Sequence, residues 1–183
     1  TWTTATITGL PTNERIWSFA GAKVGAVTRF FCITADVADV FVGVVGSDYF
    51  NYPKGIYSVD YGSGNWVSKS TGINFTTTYP MFVGMATNDI NTVYVAGSNS
   101  ISEPIVLKTT NAGTSWANTF STTGNANIIT GWSGQGGDRG WSYGECPFAL
   151  AVAPNNANSV IFGDFGFVHK TNNAGTGWQQ AYI

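Results

Sequence analysis

The chain has 183 residues, of which 43% are apolar, 15% aromatic and only 10% charged, with a formal net charge of −2. Disorder needs the opposite balance, low hydrophobicity with high charge, and a run of phosphates needs a basic surface that this chain lacks. Nucleic acid is therefore excluded as a partner, and the abundant β-branched and aromatic residues with 23 glycines point to an all-β protein.

In chain order, Thr1-Trp2 reads as the tail of a closing turn, which makes residues 2–9 the last strand of a repeat unit and 10–28 a connecting loop. Three segments then align. The first runs from Thr34 (TADVADVFV) to Trp66, the second from Thr87 (TNDINTVYV) to Trp116, and the third from Pro154 (PNNANSVIF) to Trp178. Each opens on a polar turn, enters an alternating β-branched strand, crosses a variable loop and closes on a small-residue turn before Trp. Four strands per unit follow. Strand A is expected at 29–35, 81–86 and 148–153, strand B at 39–45, 92–96 and 159–163, and strand C at 55–59, 105–109 and 167–171. Strand D starts at each Trp.

The closing turn has the form Ser/Thr-x-Asp/Asn-x-Gly-x-Ser/Gly-Trp. Thr109, Asn111, Gly113, Ser115 and Trp116 make one copy, and Thr171, Asn173, Gly175, Gly177 and Trp178 another. Ser58, Asp60, Gly62, Gly64 and Trp66 make a version one residue longer. A short carboxylate or amide can accept hydrogen bonds from backbone N–H groups of its own turn, while Gly supplies the positive φ of a tight hairpin. The Trp then buries about 150–250 Å² as the first large residue of the next strand. These turns read as folding devices rather than ligand sites.

The three turns resemble the Asp-box (BNR) repeat of sialidase-like propellers and of family 74 glycoside hydrolases, the xyloglucanases. The resemblance covers nearly the whole chain and implies a β-propeller of four-stranded antiparallel blades, about three of them present. The expected division is 1–28 for the last strand of a preceding blade plus a loop, then blades at 29–80, 81–147 (with a long loop) and 148–183. Known propellers have about four to eight blades, so the remaining blades are expected from the same polypeptide or from a partner chain.

In a four-stranded meander the C–D turns leave one end of the blade, and the B–C and D–A loops leave the other. In the families resembled, the active site lies at that second end. The D–A segment 122–147 (TTGNANIITGWSGQGGDRGWSYGECP) falls there and carries Trp132, Trp141, Tyr143, Asp138, Arg139 and Glu145 among glycines. Aromatic faces flanked by acids and amides suit a sugar ring, which needs a flat apolar platform with hydrogen-bond partners at its rim. The competing reading is that this loop covers the blade and its tryptophans pack inward. The B–C loops supply two candidate catalytic carboxylates, Asp48 and Asp164. Asp164 resembles the aspartate of a family 74 Asp-x-Gly turn, which implies a catalytic acid, base or nucleophile. Asp is also a favoured turn residue, so a purely structural role competes.

Other chemistries lack their residues. The chain holds only Arg15, Arg29 and Arg139, with no match to the sialidase N-terminal Arg motif. His169 is the single histidine, without Cys or His at metal-ligand spacing, so no metal and no cofactor is expected. Cys32 and Cys146 read as two buried thiols at or near innermost strands of non-adjacent blades. No apolar run is long enough to span a membrane, and the uncharged, Thr/Asn/Gly-rich surface points to an extracellular, secreted setting. The resulting expectation is a secreted propeller engaging a polysaccharide or glycan, as part of a glycoside hydrolase. The alternative is a non-catalytic extracellular scaffold, adhesion or structural module.

Overall fold

A computed structural model describes residues 6–36, 53–100, 103–120, 128, 149–164 and 167–182. These residues form three separate four-stranded antiparallel sheets and no helix. The first sheet holds β1 (Glu14–Val24), β2 (Val27–Asp36), β3 (Pro53–Asp60) and β4 (Val67–Ser68). The second holds β5 (Thr78–Met85), β6 (Val93–Asn99), β7 (Pro104–Thr109) and β8 (Ala117–Phe120). The third holds β9 (Ala149–Ala153), β10 (Asn156–Asp164), β11 (Phe167–Thr171) and β12 (Gln179–Tyr182). Each is a simple meander in sequence order, a propeller blade.

Alternation along the strands sends one side chain in two to each neighbouring blade. In the second blade Val93, Val95, Ile105 and Leu107 meet Phe31, Ile33 and Ile56 of the first, forming one buried cluster. The residues between them, Tyr94, Ala96 and Val106, turn the other way and pack with Val160 and Phe162 of the third blade. Both faces of the middle blade are thus spent on blade-to-blade packing. The hydrophobic core is two inter-blade layers rather than one interior.

The first blade departs from the sequence expectation. Residues 29–35 lie in β2, the second strand, and the first strand is β1, in the segment read as a connecting loop. Gly25-Ala26 joins the two as a two-residue hairpin loop between paired Val24 and Val27, and Gly25 has φ +58°. A glycine with positive φ at the first central position suits a type II′ turn. A register break between Ile16 and Ser18 interrupts the alternation of β1, which hides it from a period-two search. The described part of the TADVADVFV segment, residues 34–36, therefore does not correspond to the A–B turns of the other blades. Its opening Thr34 sits inside β2, paired with Ile16 and Gly55. Residues 39–45, expected as strand B, lie outside the described residues. Cys32 is also in β2, the second strand of its sheet, as a fully buried free thiol; Cys146 lies outside the described residues.

Candidate functional site

The two well-formed closing turns are superposable in their hydrogen bonding. Thr109 Oγ1 accepts from the backbone N–H of Asn111 (3.2 Å) and Gly113 (3.0 Å) and donates to Asn111 Oδ1 at 2.8 Å. The same Oδ1 accepts from Ser115 N at 3.0 Å. Thr171, Asn173, Gly175 and Gly177 repeat the set at 3.3, 3.0, 2.7 and 2.9 Å. Every polar atom of the Thr and the amide oxygen is used to hold the turn. The longer first copy differs: Asp60 instead takes a bidentate pair from Arg29, at 2.7 Å to Nε and 2.9 Å to Nη2.

Each Trp of these turns then reaches the preceding blade. Trp116 Nε1 donates to the Lys69 carbonyl at 2.7 Å, and Trp178 Nε1 to the Thr119 carbonyl at 2.8 Å. A Cβ built on Gly113 would stand 2.8 Å from Lys69 Cβ, and one on Gly175 2.8 Å from Thr119 Cβ. The glycines are needed for that approach as much as for their positive φ of 78° and 83°. At the first copy, Thr8 N donates to the Gly64 carbonyl and Trp66 N to the Thr8 carbonyl, so the chain near Thr8 lies along this turn.

At the opposite end, where the B–C and D–A connections leave, the sequence places its site residues. Of these, Asp164 ends β10 and is described; Asp48, Trp132, Trp141, Tyr143, Asp138, Arg139 and Glu145 lie outside the described residues. Asp164 points into the layer between the second and third blades, with its side chain 3% exposed. Its Oδ2 is 3.3 Å from Nε2 of His169, which is fully buried on β11. Around His169 lie Phe120 (ring centroids 5.2 Å apart) and Phe162 (4.9 Å), and Trp178 packs edge-on against both phenyl rings. Among the described residues, Asp164 Oδ1 and His169 Nδ1 have no hydrogen-bond partner, nor has Ser98 Oγ near the corresponding end of β6.

Sequence reasoning missed a second polar cluster, on the side of the first blade away from the second. Thr34 Oγ1 donates to Glu14 Oε2 at 2.6 Å, and the Tyr57 phenol is hydrogen-bonded to the same carboxylate. Burial, then the Glu14 charge, holds Tyr57 above its ordinary value. Glu14 opens β1, so no signal singled it out once that segment read as loop. Arg29 is engaged by Asp60 at the closing-turn end, and Arg15 Nη1 donates to the carbonyls of Thr12 and Glu14. Among the described residues no three His, Cys, Asp or Glu side chains gather as metal ligands.

No family model and no curated protein sequence matches the chain. Solved structures do. YCF48 bound to D1 peptide matches over 94% of this chain and 42% of its own, at 14% identity and a TM-score of 0.55. YCF48 from Cyanidioschyzon merolae matches over 94% and 41%, at 11% identity and a TM-score of 0.54. The GH74 xyloglucanase from Xanthomonas campestris (Xcc1752) matches over 83% and 18%, at 13% identity and a TM-score of 0.49. The chain thus spans less than half the length of these structures. What it shares with the YCF48 structures is the fold, and the three stacked meanders are blades of a β-propeller.

Proposed function

We propose that the protein is a non-catalytic binding propeller, a scaffold whose loops opposite the closing turns engage a glycan in an extracellular setting. The observation that carries this reading is the burial of Asp164 against His169 inside an inter-blade layer. A general acid or nucleophile must reach the bond it acts on, either directly or through one water. An Asp164 side chain 3% exposed beside His169, which itself packs on Phe120 and Phe162, supports a packing role over a catalytic one. The expected glycan platform is the 122–147 loop, with Trp132 and Trp141 stacking on sugar rings and Tyr143, Asp138, Arg139 and Glu145 at the rim.

Affinity electrophoresis through gels containing soluble xyloglucan, mixed-linkage glucan or mannan tests the proposal. Retardation by at least one polysaccharide, lost in Trp132→Ala and Trp141→Ala at unchanged melting temperature, is expected. No retardation by any glycan, or retardation that survives both substitutions, contradicts it.

A further inference from the structure

We infer that the outer face of the third blade is a docking surface for another blade closed by the same Trp hairpin, and that the acceptor for its indole is the Ala181 carbonyl. The two seams within the chain state the rule. In each, the acceptor lies three residues beyond the preceding Trp: Lys69 follows Trp66, and Thr119 follows Trp116. Ala181 stands in that place after Trp178.

The rest of the seam has its counterparts too. In the second blade, Tyr94 is buried and donates its hydroxyl to the Ala157 carbonyl of the third at 2.8 Å. Lys108 Nζ donates to the Ala174 carbonyl, beside the hairpin glycine, at 2.9 Å. Pairing register equates Tyr94–Lys108 with Ile161–Lys170. Yet Ile161 is 43% exposed, while Lys170 and Ala181 lie open to solvent. Val168, at the position of buried Val106, is only half-buried.

Groove shape says the same. Between the second and third blades a groove of about 360 Å³ has one wall from Lys108, Thr110 and Trp116 and the other from Ala174, Gly175 and Thr176. Beside the third hairpin, a groove of about 280 Å³ has the first wall only, from Lys170, Asn172 and Trp178. A face that repeats one half of a twice-built interface fits the other half of it: a hairpin with glycine against Ala181, a carbonyl for Lys170 and an indole for the Ala181 oxygen. An apolar residue on the incoming strand would cover Ile161.

The test supplies that blade. The 183-residue chain is compared with one extended after Ile183 by a second copy of residues 72–120, and lysines are acetylated under native conditions with mass-spectrometric readout. Lys108, already seated in a seam, is the internal reference, and its counterpart in the added copy is changed to arginine so that only the original lysine is read. Lys170 is expected to label at the rate of an open lysine in the original chain and at least tenfold more slowly in the extended one. Ile161→Asp should leave the melting temperature of the original chain unchanged and lower that of the extended chain. Equal labelling of Lys170 in both chains, or an added blade that proteolysis removes while the original three persist, overturns the inference.

Discussion

Asp164 Oδ2 and His169 Nε2 lie 3.3 Å apart across the B–C turn of the third blade, both side chains almost fully buried. The pair faces the second blade, so its cost and its benefit both fall on the inter-blade layer. Removing one partner strands the other without solvent. Asp164→Ala is expected to cost about 3–5 kcal/mol by urea denaturation, and the double change Asp164→Leu with His169→Phe much less. A double-mutant cycle measures the coupling.

The hydroxyls of Thr109 and Thr171 each accept two backbone N–H groups and bind the amide oxygen of their own turn. Valine keeps the shape and loses all three bonds, leaving the buried Gly113 or Gly175 N–H without its acceptor. Thr109→Val and Thr171→Val should each lower stability by about 1–2 kcal/mol in chemical denaturation.

Ala112 and Ala174 occupy equivalent places in the two hairpins with φ of 55° and 61°, a conformation that disfavours a Cβ. Glycine removes that strain but gains freedom in the unfolded chain, and the two effects partly cancel. Ala174→Gly is expected to stabilise by about 0.5 kcal/mol, read as a higher melting temperature. Ala174→Val should destabilise, since a β-branched residue fits this φ worse.

The Arg29 hydrogen bonds, opposed by partial burial, hold the Asp60 carboxyl below its ordinary 3.8. A depressed folded value stabilises the protein above the unfolded value and loses that contribution as pH falls through the folded one. The Asp60 side chain is 46% exposed, so the solvent-screened contribution is about 0.5 kcal/mol. Asp60→Asn should therefore be less stable than the parent at pH 7, with the difference shrinking below about pH 4.

Burial, partly offset by a backbone hydrogen bond at Tyr57, pushes the Cys32 thiol up to about 12. The thiolate is the reactive form, so Cys32 should resist a disulfide reagent at pH 8 until the first blade unfolds. Peptide mapping after brief labelling, with and without urea, checks this.

The second and third blades were readable because their turns announce themselves. Thr109 to Trp116 and Thr171 to Trp178 use the same atoms in the same way, and short polar side chains that hold a turn leave a local spelling. Residues 167–171 match β11, and 105–109 fall within β7. The first blade was less legible because Gly25-Ala26 is a two-residue signal, and the irregularity at Ile16 and Ser18 breaks the alternation on which β1 would be recognised. The partnership of Asp164 with His169 was not legible either. Both residues were singled out separately, but whether Asp164 faces a groove or the neighbouring blade depends on strand parity within the sheet. Trp178, three strands away from Phe120 in sequence terms, is another contact that only blade stacking creates.

The most direct measurement is the release of reducing ends from xyloglucan, mixed-linkage glucan and mannan by the protein and by Asp164→Asn. The binding-propeller account predicts no release above background from either, with Asp164→Asn altering stability alone. Release by the parent that vanishes in Asp164→Asn, at an unchanged melting temperature, would contradict it and make Asp164 a catalytic residue.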